Sequence, residues 1–200
     1  MNTYHSQNYR DYHVQGAVVQ TVQQALKDMG VEGFTVVPRN QPTMTTGGSN
    51  GFNLDRSNIL VDILSHRRNG WQSHRYINEE REDGTVVRIK REEWLDTWTI
   101  QLSGVTQRNY TDSGDTVTAY DALSMVQIWL NSSVGANYMR TRKKVPFAPF
   151  WIFDVRRHPY KDDSHINQIE ASLDFKINIV QFIDSDPIFI TDWEVETHPI

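Results

Sequence analysis

The stretch Ala171-Ser172-Leu173-Asp174-Phe175-Lys176-Ile177-Asn178-Ile179 decides the fold. Leu173, Phe175, Ile177 and Ile179 fall on one side of an extended chain, with Asp174, Lys176 and Asn178 on the other. Strict alternation over this length marks a strand with one buried and one wet face, as antiparallel sheets have. Trp94–Thr106 repeats the pattern, with Trp94, Trp98, Ile100 and Leu102 opposite Thr97, Thr99, Gln101 and Ser103. Beyond Phe182, Asp184-Ser185-Asp186-Pro187 reads as a turn and Ile188–Glu196 as a last strand. The C-terminal third is therefore expected to be a β-meander.

Two helices frame these strands. Val14, Val18, Val22 and Leu26, with Ala17, Ala25 and Met29 beside them, form one apolar stripe, and Gly30 suits a helix stop. Ala119, Ala122, Leu123, Val126, Trp129 and Leu130 form a second, with Asp115, Thr116 or Thr118 as capping candidates. Met125 and Ile128 add apolar surface on another face of that helix, which calls for cover beyond its own sheet, such as a partner subunit. Phe34–Val37, closed by Pro38, and Asn58–Leu64 read as strands, and Phe150–Val155 as a buried one. The expected fold class is α+β: an antiparallel or mixed sheet packed by two main helices.

Between these elements the chain is polar. Residues 1–13 read as an N-terminal tail, and 14–200 as a single domain. That domain carries a long Gly/Pro/Ser/Thr-rich loop over 38–55 and a hairpin insertion over about 66–93. Asp83-Gly84 between β-capable segments is a hairpin turn signal, and strands polar on both sides suit an extended arm. Residues 131–149 read as irregular, with a basic run Arg140-Thr141-Arg142-Lys143-Lys144. The candidate interface residues are Trp71, Tyr76 and Arg88 on the hairpin, Trp129 on the second helix, and Arg140, Arg142, Lys143 and Lys144 in the basic run.

Composition narrows the class of function. The chain has 200 residues, 38% hydrophobic and 22% charged, with six Trp, eight Tyr and eight Phe. That is enough ring surface for a packed core and argues against disorder throughout. No window approaches the roughly 18 apolar residues of a membrane span. The first eight residues carry neither the basic nor the apolar region of a secretory signal. The absence of cysteine removes disulfides, thiolate metal sites and Cys nucleophiles. A net charge of −5 disfavours general nucleic-acid coating. The acidic C-terminal stretch (Asp184, Asp186, Asp192, Glu194, Glu196), set against the basic run, suits head-to-tail contacts between copies as well as scattered surface charge.

Motifs for chemistry are weak. Gly47-Gly48-Ser49-Asn50-Gly51 lacks the Gly-Lys-Ser/Thr and helix start of a phosphate loop, and no Gly-x-Ser-x-Gly elbow occurs. His158, Asp162, Asp163 and His165 would make a metal cluster only if they converged, and solvated turn charge explains them equally. Glu170, Asp174 and Asp154 are the carboxylates a metal-dependent nuclease would use, yet Asp174 falls on the wet face. No catalytic, cofactor or metal residue is assigned.

Several segments together resemble the phage neck or tail terminator family. They are Trp98-Thr99-Ile100-Gln101-Leu102-Ser103-Gly104, the helix Ala119–Leu130, and Ile169–Asn178 followed by Ile190-Thr191-Asp192-Trp193-Glu194-Val195. The resemblance spans roughly residues 55–198. It implies a virion protein of a tailed phage, without catalytic residues or cofactors, that forms a hexameric ring capping the tail tube. Implied partners are further copies of itself, the tail tube protein, a sheath or collar protein and the head–tail connector. Genomic DNA would pass through the ring without sequence-specific binding, no membrane would be involved, and assembly would occur in the host cytoplasm. Another head–tail connector or tail-completion protein is the alternative, ahead of a small metal-dependent nuclease.

Overall fold

The structure is a computed structural model and describes residues 6–7, 9–39, 57–80, 84, 86–106, 117–158 and 170–185. Along the chain run β1 (Ser6–Gln7), α1 (Asp11–Asp28), β2 (Phe34–Pro38), β3 (Ser57–Glu80), β4 (Val86–Val105), α2 (Ala119–Asn131), α3 (Ser133–Arg140), β5 (Ala148–Ile152), β6 (Arg156–Arg157) and β7 (Ala171–Ser185). All seven strands belong to one sheet of order β1-β7-β4-β3-β2, with β5 and β6 also on β7. Against β7, strands β1, β5 and β6 run antiparallel, whereas β2 runs parallel to β3. The sheet is mixed, and the fold is α+β as expected.

The parallel pair explains the long loop. A parallel partner cannot be reached through a tight turn and needs a dozen or more residues of return. Phe34 lies opposite Ser57 and Val37 opposite Leu60, so residues 39–56 must carry the chain back. Residues 40–56, most of the loop expected over 38–55, lie outside the described residues.

Contact clustering divides the chain into two compact units. The larger holds residues 9–69 and 95–180. Its core lies where Val14, Val18 and Val22 of α1 and Leu123, Val126 and Leu130 of α2 cover Ile59, Trp98, Ile100, Leu102, Leu173, Phe175 and Ile177 of the sheet. Burying a side chain of this size contributes roughly 1.5–3 kcal/mol, so this two-helix cover is what holds the sheet. The opposite face is polar and cross-linked. Asn69 donates to Thr97, Thr97 to Asn178 at 2.6 Å, and Gln101 to Asp174 at 3.0 Å, while Arg156 pairs with Asp174.

Local signals set the helix ends. α1 starts at Asp11, so the last residues of the expected 1–13 tail are helical. The Arg10 backbone N–H donates to His13 Nδ1, and Asp11 complements the helix dipole. At the other end Gly30 N–H bonds Lys27 O and Val31 N–H bonds Leu26 O, a Schellman closure with Leu26 and Val31 buried. α2 is capped by Thr118, whose Oγ1 accepts from Asp121 N–H while the Asp121 carboxylate accepts from Thr118 N–H.

A third helix, α3, occupies residues read from sequence as irregular. Ser132 alone separates it from α2: its Oγ donates to Trp129 O at 2.6 Å and accepts from Gly135 N–H at 3.1 Å. Gly135 is required here by close approach. A Cβ at this position would sit 2.2 Å from the Trp129 carbonyl oxygen.

The smaller unit comprises residues 1–8, 70–94 and 181–200, and its described part is the outer hairpin with the ends of β1 and β7. Gly84 has φ 78°, the left-handed conformation that the Asp-Gly turn signal demands. Asp186 and Pro187 of the turn expected at Asp184–Pro187 lie outside the described residues, and β7 continues through its first two residues, Asp184 and Ser185. Its end is held by Arg91, which bonds both carboxylate oxygens of Asp184 at 2.7 and 2.8 Å and stacks 3.9 Å from the Phe182 ring. The expected final strand Ile188–Glu196 lies outside the described residues.

Candidate assembly surfaces

β5 breaks the expectation of a buried strand. Pairing with β7 puts Trp151 opposite Lys176 and Ile152 opposite Phe175, with a register shift between Pro149 and Trp151. Ile152 and, beyond the strand, Val155 pack on the core, while Phe150 and Trp151 are 59% and 58% exposed and Phe153 is also exposed. The prolines explain why. Pro149 has no N–H to share with a further strand, which suits an edge position, and the register shift turns Phe150 outward. Gln127 Nε2 donates to Phe153 O at 2.9 Å, tying the end of this strand to α2. Ile128, the next residue of α2, and Val134 of α3 are exposed as well. The Trp151 and Phe153 rings lie 6.0 Å apart, and large exposed apolar side chains set together are a docking surface more often than an accident.

Trp129 belongs inside the fold, which corrects its assignment to the interface. It is 4% exposed, donates from Nε1 to Asp28 Oδ2 at 3.0 Å and meets Tyr138 edge to face. Helical periodicity carries it onto the stripe of Val126 and Leu130, and its neighbour Ile128 takes the outward position.

The basic run forms a second surface. Arg142, Lys143 and Lys144, with Gln20, Tyr138 and Thr141, line a cavity of about 260 Å³. Arg142 is half-buried and fixed: it donates to Gln20 Oε1 at 2.6 Å and to Thr21 Oγ1 and Tyr138 OH at 3.4 Å. Lys143 and Lys144 are exposed, as is Arg140, which does not line the cavity.

The hairpin bears the third surface. Trp71 is 97% exposed, and the Arg88 guanidinium lies 4.5 Å over the Tyr76 ring. Around them the cations are paired: Arg75 with Glu93 at 2.7 Å and Lys90 with Glu92 at 2.8 Å. The Lys90 hydrogen bond and charge hold the Glu92 carboxyl below the usual carboxylate range.

The residues considered for chemistry do not converge. Glu170 accepts from Thr106, Asp174 from Gln101 and Arg156, and Asp154 from Gln127. Asp162, Asp163 and His165 lie outside the described residues, and no group of three metal-type ligands occurs among the described ones. Phe150, Trp151 and Phe153 are the functional candidates that sequence reasoning missed; Pro146 and Pro149 were the signal for them.

A mixed sheet covered by helices on one face and carrying exposed aromatic edges defines a protein that presents surfaces for assembly. A family model described as E217 gateway protein gp29 matches residues 13–186, most of the chain. The chain therefore belongs to this family of phage head–tail gateway proteins, and it is a structural component of the virion. No curated protein matches it.

Proposed function

We propose that the chain assembles into a closed ring, a hexamer, that caps the tail tube and joins the tail to the head connector, with DNA passing through the ring. Family membership supports a head–tail role. The observation that carries the ring is the pair Phe150 and Trp151, exposed together on an edge strand of the main unit. A head-to-tail ring uses two different patches on each copy, and closing it covers both. The tryptophan is the residue type most enriched among energetically dominant contacts. Ring formation in the host cytoplasm then precedes joining. The hairpin serves as the face that touches the tube, sheath or collar, because it carries the exposed rings of Trp71 and Tyr76.

Two substitutions separate these roles. Phe150→Ser with Trp151→Ser should turn a ring mass into a monomer mass in native mass spectrometry. Trp71→Ala should leave the ring intact and cut the yield of joined, infectious particles at least tenfold. Both sites are exposed, so stability should stay within about 0.5 kcal/mol of the parent. A double-serine variant that still forms rings rejects the edge as the ring contact. A parent protein that is monomeric on its own and alongside tail tubes rejects the ring.

A further inference from the structure

We propose that the cavity lined by Gln20, Tyr138, Thr141, Arg142, Lys143 and Lys144 is a phosphate site that takes a backbone phosphate of duplex DNA. The inference rests on the proposed ring through which DNA passes.

Three observations carry it. The first is charge without a counter-charge. Several cations elsewhere are neutralised by carboxylates, as with Arg39 and Asp62, Arg75 and Glu93, Arg91 and Asp184, and Arg156 and Asp174, and what sets this site apart is three unpaired cations in succession. Among the described residues no carboxylate lies within ion-pair distance of Arg142, Lys143 or Lys144. Three adjacent positive charges without a carboxylate repel one another, and an anion relieves this. The second is preorganisation. Gln20, Thr21 and Tyr138 hold the Arg142 fork in place, yet its buried Nε has no hydrogen-bond partner. A buried donor left unsatisfied is costly. The third is the chemistry of the lining. Arg, Lys, Thr, Gln and Tyr are the side chains that contact DNA phosphates, whereas lysine is depleted in protein–protein interfaces.

The field of this site is short-ranged. At physiological salt the screening length is about 8 Å, and the chain as a whole carries −5. Binding is therefore confined to DNA already alongside, and it reads no bases. A site of this kind guides a passing duplex without arresting it.

The test uses the full chain, a labelled mixed-sequence duplex of about 20 base pairs and fluorescence anisotropy across a salt series. Lys143→Gln with Lys144→Gln is the main variant, because both side chains are exposed and make no hydrogen bond within the described structure. Arg142→Gln is the second. The parent should bind weakly at low salt, with an affinity that falls steeply as salt rises. Each phosphate contact removed lowers the log–log salt slope by about 0.9. The double-lysine variant should therefore lose roughly 0.9 from the slope and at least tenfold in affinity at low salt, with an unchanged melting temperature. A parent that does not bind duplex, or a variant with the parent's slope, overturns the site. So does a variant that binds DNA normally but no longer assembles, which would place a neighbouring copy's carboxylate in the cavity. Native mass judges the ring separately: rings without DNA binding sink the phosphate site alone, and DNA binding by a persistent monomer sinks the ring alone.

Discussion

Alanine at position 135 is expected to destabilise the protein by about 3 kcal/mol, the upper part of the usual cost of overpacking. The added methyl group would lie 2.2 Å from the Trp129 carbonyl oxygen and 2.9 Å from the Trp129 ring. A backbone atom cannot rotate away as a flexible side chain does, so the α2–α3 junction itself must open. Two features depend on that junction: the Ser132 hydroxyl that caps α3, and the edge contact between Trp129 and Tyr138. Tyr138 and Thr141 line the basic cavity, so the strain reaches the proposed phosphate site as well. For a chain of this size the loss corresponds to roughly 6–12 °C in melting temperature. Gly16→Ala is the control. Nothing lies within 4 Å of its added Cβ, and a helical glycine replaced without a clash should gain about 0.5–1 kcal/mol. If the two variants melt together, the close-packed junction is refuted.

Asp184→Ala is the second large effect. Asp184 is buried, and the Arg91 side chain that grips it is only 21% exposed, so removing the carboxylate strands a charge. Breaking such a pair costs about 3 kcal/mol or more. The hydrogen bond to Asp184 raises Arg91 further above its already high value. A raised folded value stabilises the protein below the unfolded value, and the gain is lost only as pH climbs through the folded one. For an arginine that window lies far above neutrality, so the cost of Asp184→Ala should be flat between pH 7 and 9. Arg91→Ala combined with Asp184→Ala should cost less than the sum of the two single changes, because neither charge is then left alone. Additive losses would mean that the pair carries no coupling.

The central sheet was open to reading because alternation survives in β4 and β7: Trp98, Ile100 and Leu102, and Leu173, Phe175 and Ile177, are all buried as their spacing requires. The two long helices were legible for the same reason at a period of 3.6. The third was not. Val134, Gly135 and Asn137 are poor helix formers, and α3 owes its place to Ser132 and to the closeness of Gly135 to Trp129, which is tertiary information. β5 failed in the other direction. A continuous apolar run reads as buried, and only pairing with β7 shows that Phe150 and Trp151 face outward. Trp129 lies buried on the apolar stripe where its spacing puts it, against its assignment to the interface, and Ile128 is exposed on another face of the helix, as read. Of the proposed surfaces, the exposed Trp71 and the basic run were visible in the residues; the cavity needed Gln20, far away in sequence.

The most direct measurement is an averaged cryo-electron micrograph map of the virion neck into which this chain is fitted. The account predicts six copies in a closed ring between the head connector and the tail tube, with Phe150 and Trp151 covered by the neighbouring copy. A neck map with no ring of this chain, or with it present as isolated copies whose β5 edge faces solvent, would contradict it.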